Sequence, residues 1–293
     1  MANIKRTYKD SLFCSLFGSE ERRGNALELY NALAGTHYDD PSELELTTVD
    51  NTVFLGRKND VSFLVGNEMV LMEQQSTHDP NMPLRGLLYF SKLFNKLIDR
   101  RGLDIYGTSP LDLPAPRYFV LYFGPDDRPD REIMRLSDSF PTVAGDVEVT
   151  ATVLNCNEGR NTAIMEACET LRGYAHLLAL ARAGRSAGSD LDVAVRDAVD
   201  RCIKEGVLAD YLSGHRSEAI EMLWTIEDEE RAMRVHWEHV EREAREKGLA
   251  EGRAEGRAEG RAEGRAEGRA EGRQDIIDEL KALGADPDLI AQL

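Results

Sequence analysis

Short apolar runs bounded by turn residues mark the first half of this chain, and helical spacing takes over in the second. Residues 61–65 and 69–75 are apolar runs of buried-strand length. Gly66-Asn67 separates them, a glycine-first pair that closes a two-residue hairpin. In that register Val65 faces Glu68, Leu64 faces Met69 and Asp60 faces Glu73, and period-two alternation puts Gln75 on the same face as Glu73. Residues 19–33 read as a helix, with Ser19 as cap, Glu20 and Glu21 in its first turn and Gly35 past its end. Residues 47–55 form a first strand. Pro83 fits the first turn of a helix running to about Arg100, with Leu84, Leu87, Leu88, Leu93 and Leu97 inward. Residues 117–123, RYFVLYF, give a further buried strand. The order is helix, three strands, helix, strand: a mixed sheet flanked by helices.

After Gly145 the pattern turns helical, over 161–182, 191–204 and 217–247. The expected division is an α/β domain at 1–145, an all-α region at 146–247, a repeat at 248–273 and a short helical segment at 274–293. From Ala250 to Arg273 the tetrapeptide Ala-Glu-Gly-Arg occurs six times. Three of its four residues favour helix, while one glycine per turn costs about 1 kcal/mol each. The repeat is therefore either a mobile spacer or a helix with Glu and Arg on opposite sides. In the second case such helices can stack side by side and make the protein a homo-oligomer.

Charge narrows the partners. The net charge is −17, which argues against strong DNA binding, since phosphate affinity comes chiefly from Lys and Arg. The imbalance is uneven: residues 1–145 carry 16 Lys+Arg against 21 Asp+Glu, and the remainder 20 against 32. Arg85, Lys92, Lys96, Arg100 and Arg101 make one basic helix, a weak and salt-sensitive DNA contact or a solvated face. Cys14, Cys156, Cys168 and Cys202 are scattered without C-x-x-C spacing, so reduced thiols of a cytoplasmic protein are expected. No 18-residue apolar run and no signal-peptide core occur, so no membrane partner is expected. His236, His239 and Glu243 line up on a helix as metal ligands would, though their charged surroundings favour a solvated face; Trp224 and Trp237 read as packing residues.

The chemistry sits in the hairpin. Two carboxylates opposite each other on one sheet face repel, and a hard divalent cation removes the conflict. The competing reading is a shifted register with Glu73 paired to an arginine. Asp60, then Glu73-Gln74-Gln75-Ser76, then Asn81-Met82-Pro83-Leu84-Arg85 and Leu87-Leu88-Tyr89 resemble the core of the PD-(D/E)XK nuclease superfamily. With Tyr8, Lys9, Asp10, Phe13 and Phe17 near the start, the chain resembles more closely the bacterial recombination-promoting nuclease (transposase-like) family. The resemblance covers residues 5–140 well and extends loosely to about 240, and its most specific block runs from the E-x-Q-S strand to N-M-P-L-R.

That resemblance implies a restriction-endonuclease-like core and a Mg2+-dependent endodeoxyribonuclease, with Mn2+ or Ca2+ as substitutes. It implies Asp60, Glu73 and the main-chain carbonyl of Gln74 as metal ligands, with Glu28 as a further candidate or else a solvated helical glutamate. Gln75 stands where the superfamily usually has a catalytic lysine. It can orient water or phosphate but brings no charge, so slow turnover is expected. Arg85 and Tyr89, four apart, share a helix face and either reach phosphate or pack. Two other readings stand beside the nuclease: a non-catalytic oligomeric binding or regulatory protein of the same fold, and a true transposase, for which no DNA-binding module is visible.

Overall fold

The protein is described here by a computed structural model covering residues 11–47, 60–140, 142–143 and 145–283, with 60, 227–238, 241 and 254 described by backbone alone. Two compact units divide it, 1–231 and 232–293.

The first unit is built on the hairpin. Gly66 adopts φ 54°, a left-handed conformation that glycine takes without a Cβ clash. A Cβ there would also lie 2.8 Å from the Tyr38 hydroxyl. The turn folds β2 (Asp60–Val65) onto β3 (Glu68–Gln75). Asp60 pairs with Glu73, Leu64 with Met69 and Val65 with Glu68, the register expected from the sequence. β1 (Glu45–Leu46) lies antiparallel on β2, extended by Thr47 N–H donating to Ser62 O at 2.8 Å. β4 (Ala115–Tyr122) runs parallel to β3, β6 (Thr150–Asn155) parallel to β4, and β5 (Arg131–Arg135) antiparallel on β6. The mixed sheet has the order β1-β2-β3-β4-β6-β5.

Helices cover both faces, because every central strand carries apolar residues on both sides. α1 (Leu12–Phe17), α2 (Arg23–Ala34), α4 (Thr162–Ala167), α5 (Glu169–Ser186), α6 (Leu191–Glu205), α7 (Ala209–Gly214) and the start of α8 (Arg216–Ala282) bury one core. It joins Phe13, Tyr30, Leu171, Val199 and Leu223 to Val61, Phe63, Val70, Phe119 and Leu121. α3 (Met82–Arg101) covers the other face, packing Met82, Tyr89, Phe90, Leu93 and Leu97 on Leu71, Tyr118, Val120 and Val153.

Several expectations are corrected. The strand placed at 47–55 falls, beyond Thr47, outside the described residues, and β1 precedes it. Leu84 and Leu88 face outward, 45% and 39% exposed; the buried stripe of α3 runs instead through Met82, Gly86, Tyr89, Phe90, Leu93 and Leu97. Ser19 does not cap a helix: a 3-10 turn (Glu20–Arg22) precedes α2, and the Ser19 hydroxyl has no hydrogen-bond partner among the described residues. The boundary expected at 145 does not hold, since β6 follows it and lies between β4 and β5. The helix expected at 161–182 is two, broken where Cys168 takes an extended φ of −133°. Trp224 is 40% exposed and is no core residue; the Trp237 and His236 side chains lie outside the described residues.

In the second unit the repeat is helical, within α8. Every fourth residue is glycine, each costing about 1 kcal/mol against alanine. From one repeat to the next, each glutamate has a glutamate four residues on and each arginine an arginine, an arrangement that costs a few tenths of a kcal/mol per pair. Among the described residues no ion pair joins two repeat side chains; Glu251 meets Lys247, just before the repeat, at 3.8 Å. The repeat therefore gains nothing from charge pairing among its own residues.

Candidate active site

Glu73 sits mid-sheet on β3, 1% exposed, on the face that α3 covers. Burying a carboxylate is expensive unless donors reach it, and Glu73 has them from three elements. Gln75 Nε2, two residues along the same face, donates to Glu73 Oε1 at 2.7 Å. The Arg85 guanidinium on α3 also bonds Oε1. The Tyr118 hydroxyl on β4 donates to Oε2 at 2.7 Å. Parallel pairing sets this last contact, since Glu73 is level with Val120 and Tyr118 lies two residues behind it on the same face.

Arg85 is held from both sides. Its second amino group donates to Asp79 Oδ2 at 3.0 Å, while Asp79 Oδ1 accepts from the Asn81 N–H at 2.8 Å. Asp79 thus turns the chain into α3 and aims Arg85 at the sheet. Burial pulls the Arg85 pKa down, but the charge of Glu73 and the bond to Asp79 outweigh it and the net direction is up. Burial first, then the charge and hydrogen bond of Glu73, push the Tyr118 phenol well above its ordinary value. Tyr118 therefore stays a donor.

Gly86 makes the arrangement possible. A Cβ on it would stand 2.7 Å from the Tyr118 ring, so only the bare backbone of α3 lets that ring pass beneath and reach Glu73.

The structure thus brings Glu73, Gln75 and Arg85 together, with Asp60 opposite Glu73 in the register; the Asp60 side chain lies outside the described residues. Tyr89 is buried next to this group, 6% exposed, one turn beyond Arg85. Gln74 is buried at 3% exposure and alternates with Glu73 along β3. Glu28 is not brought in. It lies on α2, in the opposite helical layer, where its carboxylate accepts from the Glu169 N–H at 3.3 Å and from Cys168 Sγ at 3.7 Å.

Tyr118 and Asp79 were missed from sequence. Tyr118 shares the period-two face of an apolar strand, and only the parallel register reveals that this face meets Glu73. Asp79 carries a readable signal, an aspartate two residues before a helix-opening Asn81. Among the described residues no cluster of three His, Cys, Asp or Glu side chains is placed to hold a metal ion. The basic stripe of α3 is partly spent, since Arg100 pairs with Glu45 of β1. His239 pairs with exposed Glu243 at 3.2 Å. No helix among the described residues is long and apolar enough to cross a membrane.

No protein-family model matches this chain, and neither a curated protein nor a solved structure similar to it is found.

Proposed function

We propose that this chain is a metal-dependent DNA endonuclease of the PD-(D/E)XK type, a slow phosphodiesterase acting in the cytoplasm in DNA breakage linked to recombination, mobile DNA or defence. The observation that carries the reading is the pairing of Asp60 with Glu73 across the β2–β3 hairpin, beside Gln75. The order of helix, three strands, helix and strand supports it, as does the E-x-Q-S to N-M-P-L-R block.

Two hard oxygen donors level with each other suit Mg2+ or Mn2+. Asp60, Glu73 and the Gln74 carbonyl would hold the ion, which supplies an activated water and polarises the phosphoryl group. Glu73 Oε1 is taken by Arg85, a cation already in that place. Ligation therefore requires Arg85 to release Glu73, keeping its bond to Asp79, and a phosphate oxygen is then a ready partner for the freed guanidinium. Gln75 orients water or phosphate through its amide. With no lysine at position 75, that position adds no charge to the reacting phosphate, so turnover is low.

The Arg85–Glu73 pair favours a second reading, a nuclease-fold binding or regulatory protein whose site is closed by an internal ion pair. Supercoiled plasmid incubated with Mg2+ or Mn2+ separates the two. The nuclease reading expects metal-dependent nicking by the native chain, and a loss of at least a hundredfold in Asp60→Asn and Glu73→Gln. No nicking by the native chain gives the second reading, and equal nicking by all three places the activity elsewhere.

A further inference from the structure

The repeat segment of α8 is solvated all round: among the described residues of 250–273, nearly every one is exposed. Successive residues are 100° apart, so glutamate and the arginine two residues on lie about 200° apart and cannot meet. Within the repeat, at three and four residues' distance every charge finds alanine, glycine or its own sign, and only at its start does Glu251 reach Lys247 outside it. Each shaft therefore carries a Glu row and an Arg row in equal number that do not pair with each other, separated by rows of alanine and glycine.

Such a surface is complementary to itself. Turned to a neighbour of the same kind, the Glu row of one shaft meets the Arg row of the other, and the glycine and alanine between them leave room for long side chains to interdigitate. Beyond the repeat, Ile276, Leu280 and Leu283 follow at i, i+4 and i+7, with Ile276 53% and Leu283 77% exposed. This stripe, exposed at Ile276 and Leu283 and half-exposed at Leu280 among the described residues, is a second feature of the same unit.

We propose that the tail is a self-association surface whose partner is the tail of a second copy of this chain, held by Glu–Arg pairing between shafts. Its geometry follows from the period. Four residues turn through 400°, so each row advances by about 40° per repeat and winds around the shaft with the hand of the helix. Shafts that follow such rows cross in the right-handed sense rather than lying parallel along their length. Because the rows wind, one neighbour covers part of a shaft and leaves the opposite side free for another.

The test uses the full chain and two charge-swapped variants. One has the six repeat glutamates changed to arginine, Glu251→Arg through Glu271→Arg; the other has the six repeat arginines changed to glutamate, Arg253→Glu through Arg273→Glu. Mass is read by sedimentation at low and high salt, with helicity checked by circular dichroism. The native chain is expected at twice the monomer mass or more in low salt, falling as salt screens the pairs. Each swapped chain alone loses that salt-sensitive mass, and an equal mixture of the two regains it. A third chain lacking 250–273 guards against variants that lose the helix, and it too is expected to lose the salt-sensitive mass. A native chain of one-chain mass in low salt overturns the proposal. So does salt-sensitive mass that survives the deletion, or swapped chains that associate separately as the native chain does.

Discussion

The Tyr118 hydroxyl donates to Glu73 Oε2 at 2.7 Å, tying β4 to β3 at a carboxylate that is 1% exposed. Tyr118→Phe keeps the ring and removes only this donor, leaving a charged acceptor short of a partner where water does not replace it. The expected cost is about 1–3 kcal/mol, read as a lower denaturant midpoint with an unchanged slope. An unaltered midpoint would mean that Oε2 is satisfied without Tyr118.

Arg85 supplies the positive charge that lets Glu73 be buried. Arg85→Met removes it from one side only, and breaking a buried pair in that way costs about 3–5 kcal/mol. On the proposed reading, a divalent cation would compete with the guanidinium for the same carboxylate oxygen. Saturating Mn2+ is therefore expected to raise the melting temperature more in Arg85→Met than in the native chain. Equal shifts in both proteins would show that the ion and the arginine do not share Glu73.

Gly86 is required by the ring beneath it. Gly86→Ala places a methyl 2.7 Å from Tyr118 carbons, and the stiff ring between strand and helix has little room to yield. A loss of about 1–3 kcal/mol is expected, together with a weakened Tyr118–Glu73 bond. A double variant with Tyr118→Phe then loses less than the sum of the two single changes, which denaturation of the four proteins measures. Full additivity would separate Gly86 from that bond.

His176 on α5 bridges Glu158 at 2.8 Å and Glu205 at 3.0 Å. The bond to Glu158 is the main cause raising its pKa, partial burial opposes, and Glu205 adds to the rise. A group whose folded pKa is raised stabilises fully below its unfolded pKa and loses that contribution as pH climbs through the folded one. The native chain is thus expected to lose stability as pH rises through and above the ordinary histidine range, and His176→Gln to flatten that slope. Glu205 acts at the other end. Arg201 first and His176 second lower its pKa, so its share disappears as pH falls through the carboxylate range. Denaturant midpoints across this range in the two proteins measure the difference.

Much of the site was legible because a two-residue glycine turn fixes a register, and a register fixes which side chains are level. Asp60 and Glu73 follow from Gly66-Asn67 and alternation alone. The shifted register did not occur, yet the arginine partner for Glu73 did, so a carboxylate pair and an ion pair coexist as readings of one place. Tyr118 was not legible because parallel pairing is set by a crossover through α3, and no local signal reports its register. β5 and β6 were missed because Thr150–Asn155 is a six-residue run with small and polar members amid loop residues, too short to stand out by periodicity. The outward turn of Leu84 and Leu88 reflects a stripe anchored by Gly86 against Tyr118, a packing fact that leucine spacing does not carry. The repeat contains the signals for helix and for spacer in one tetrapeptide, and no count of propensities separates them.

Direct binding of Mn2+ tests the central claim most closely. Titration by calorimetry, with free Mn2+ followed by electron paramagnetic resonance, is to be run on the native chain, Asp60→Asn and Glu73→Gln. The account predicts a site on the native chain that is lost in each variant, while circular dichroism shows the fold retained. Mn2+ binding that persists unchanged in both folded variants would contradict it.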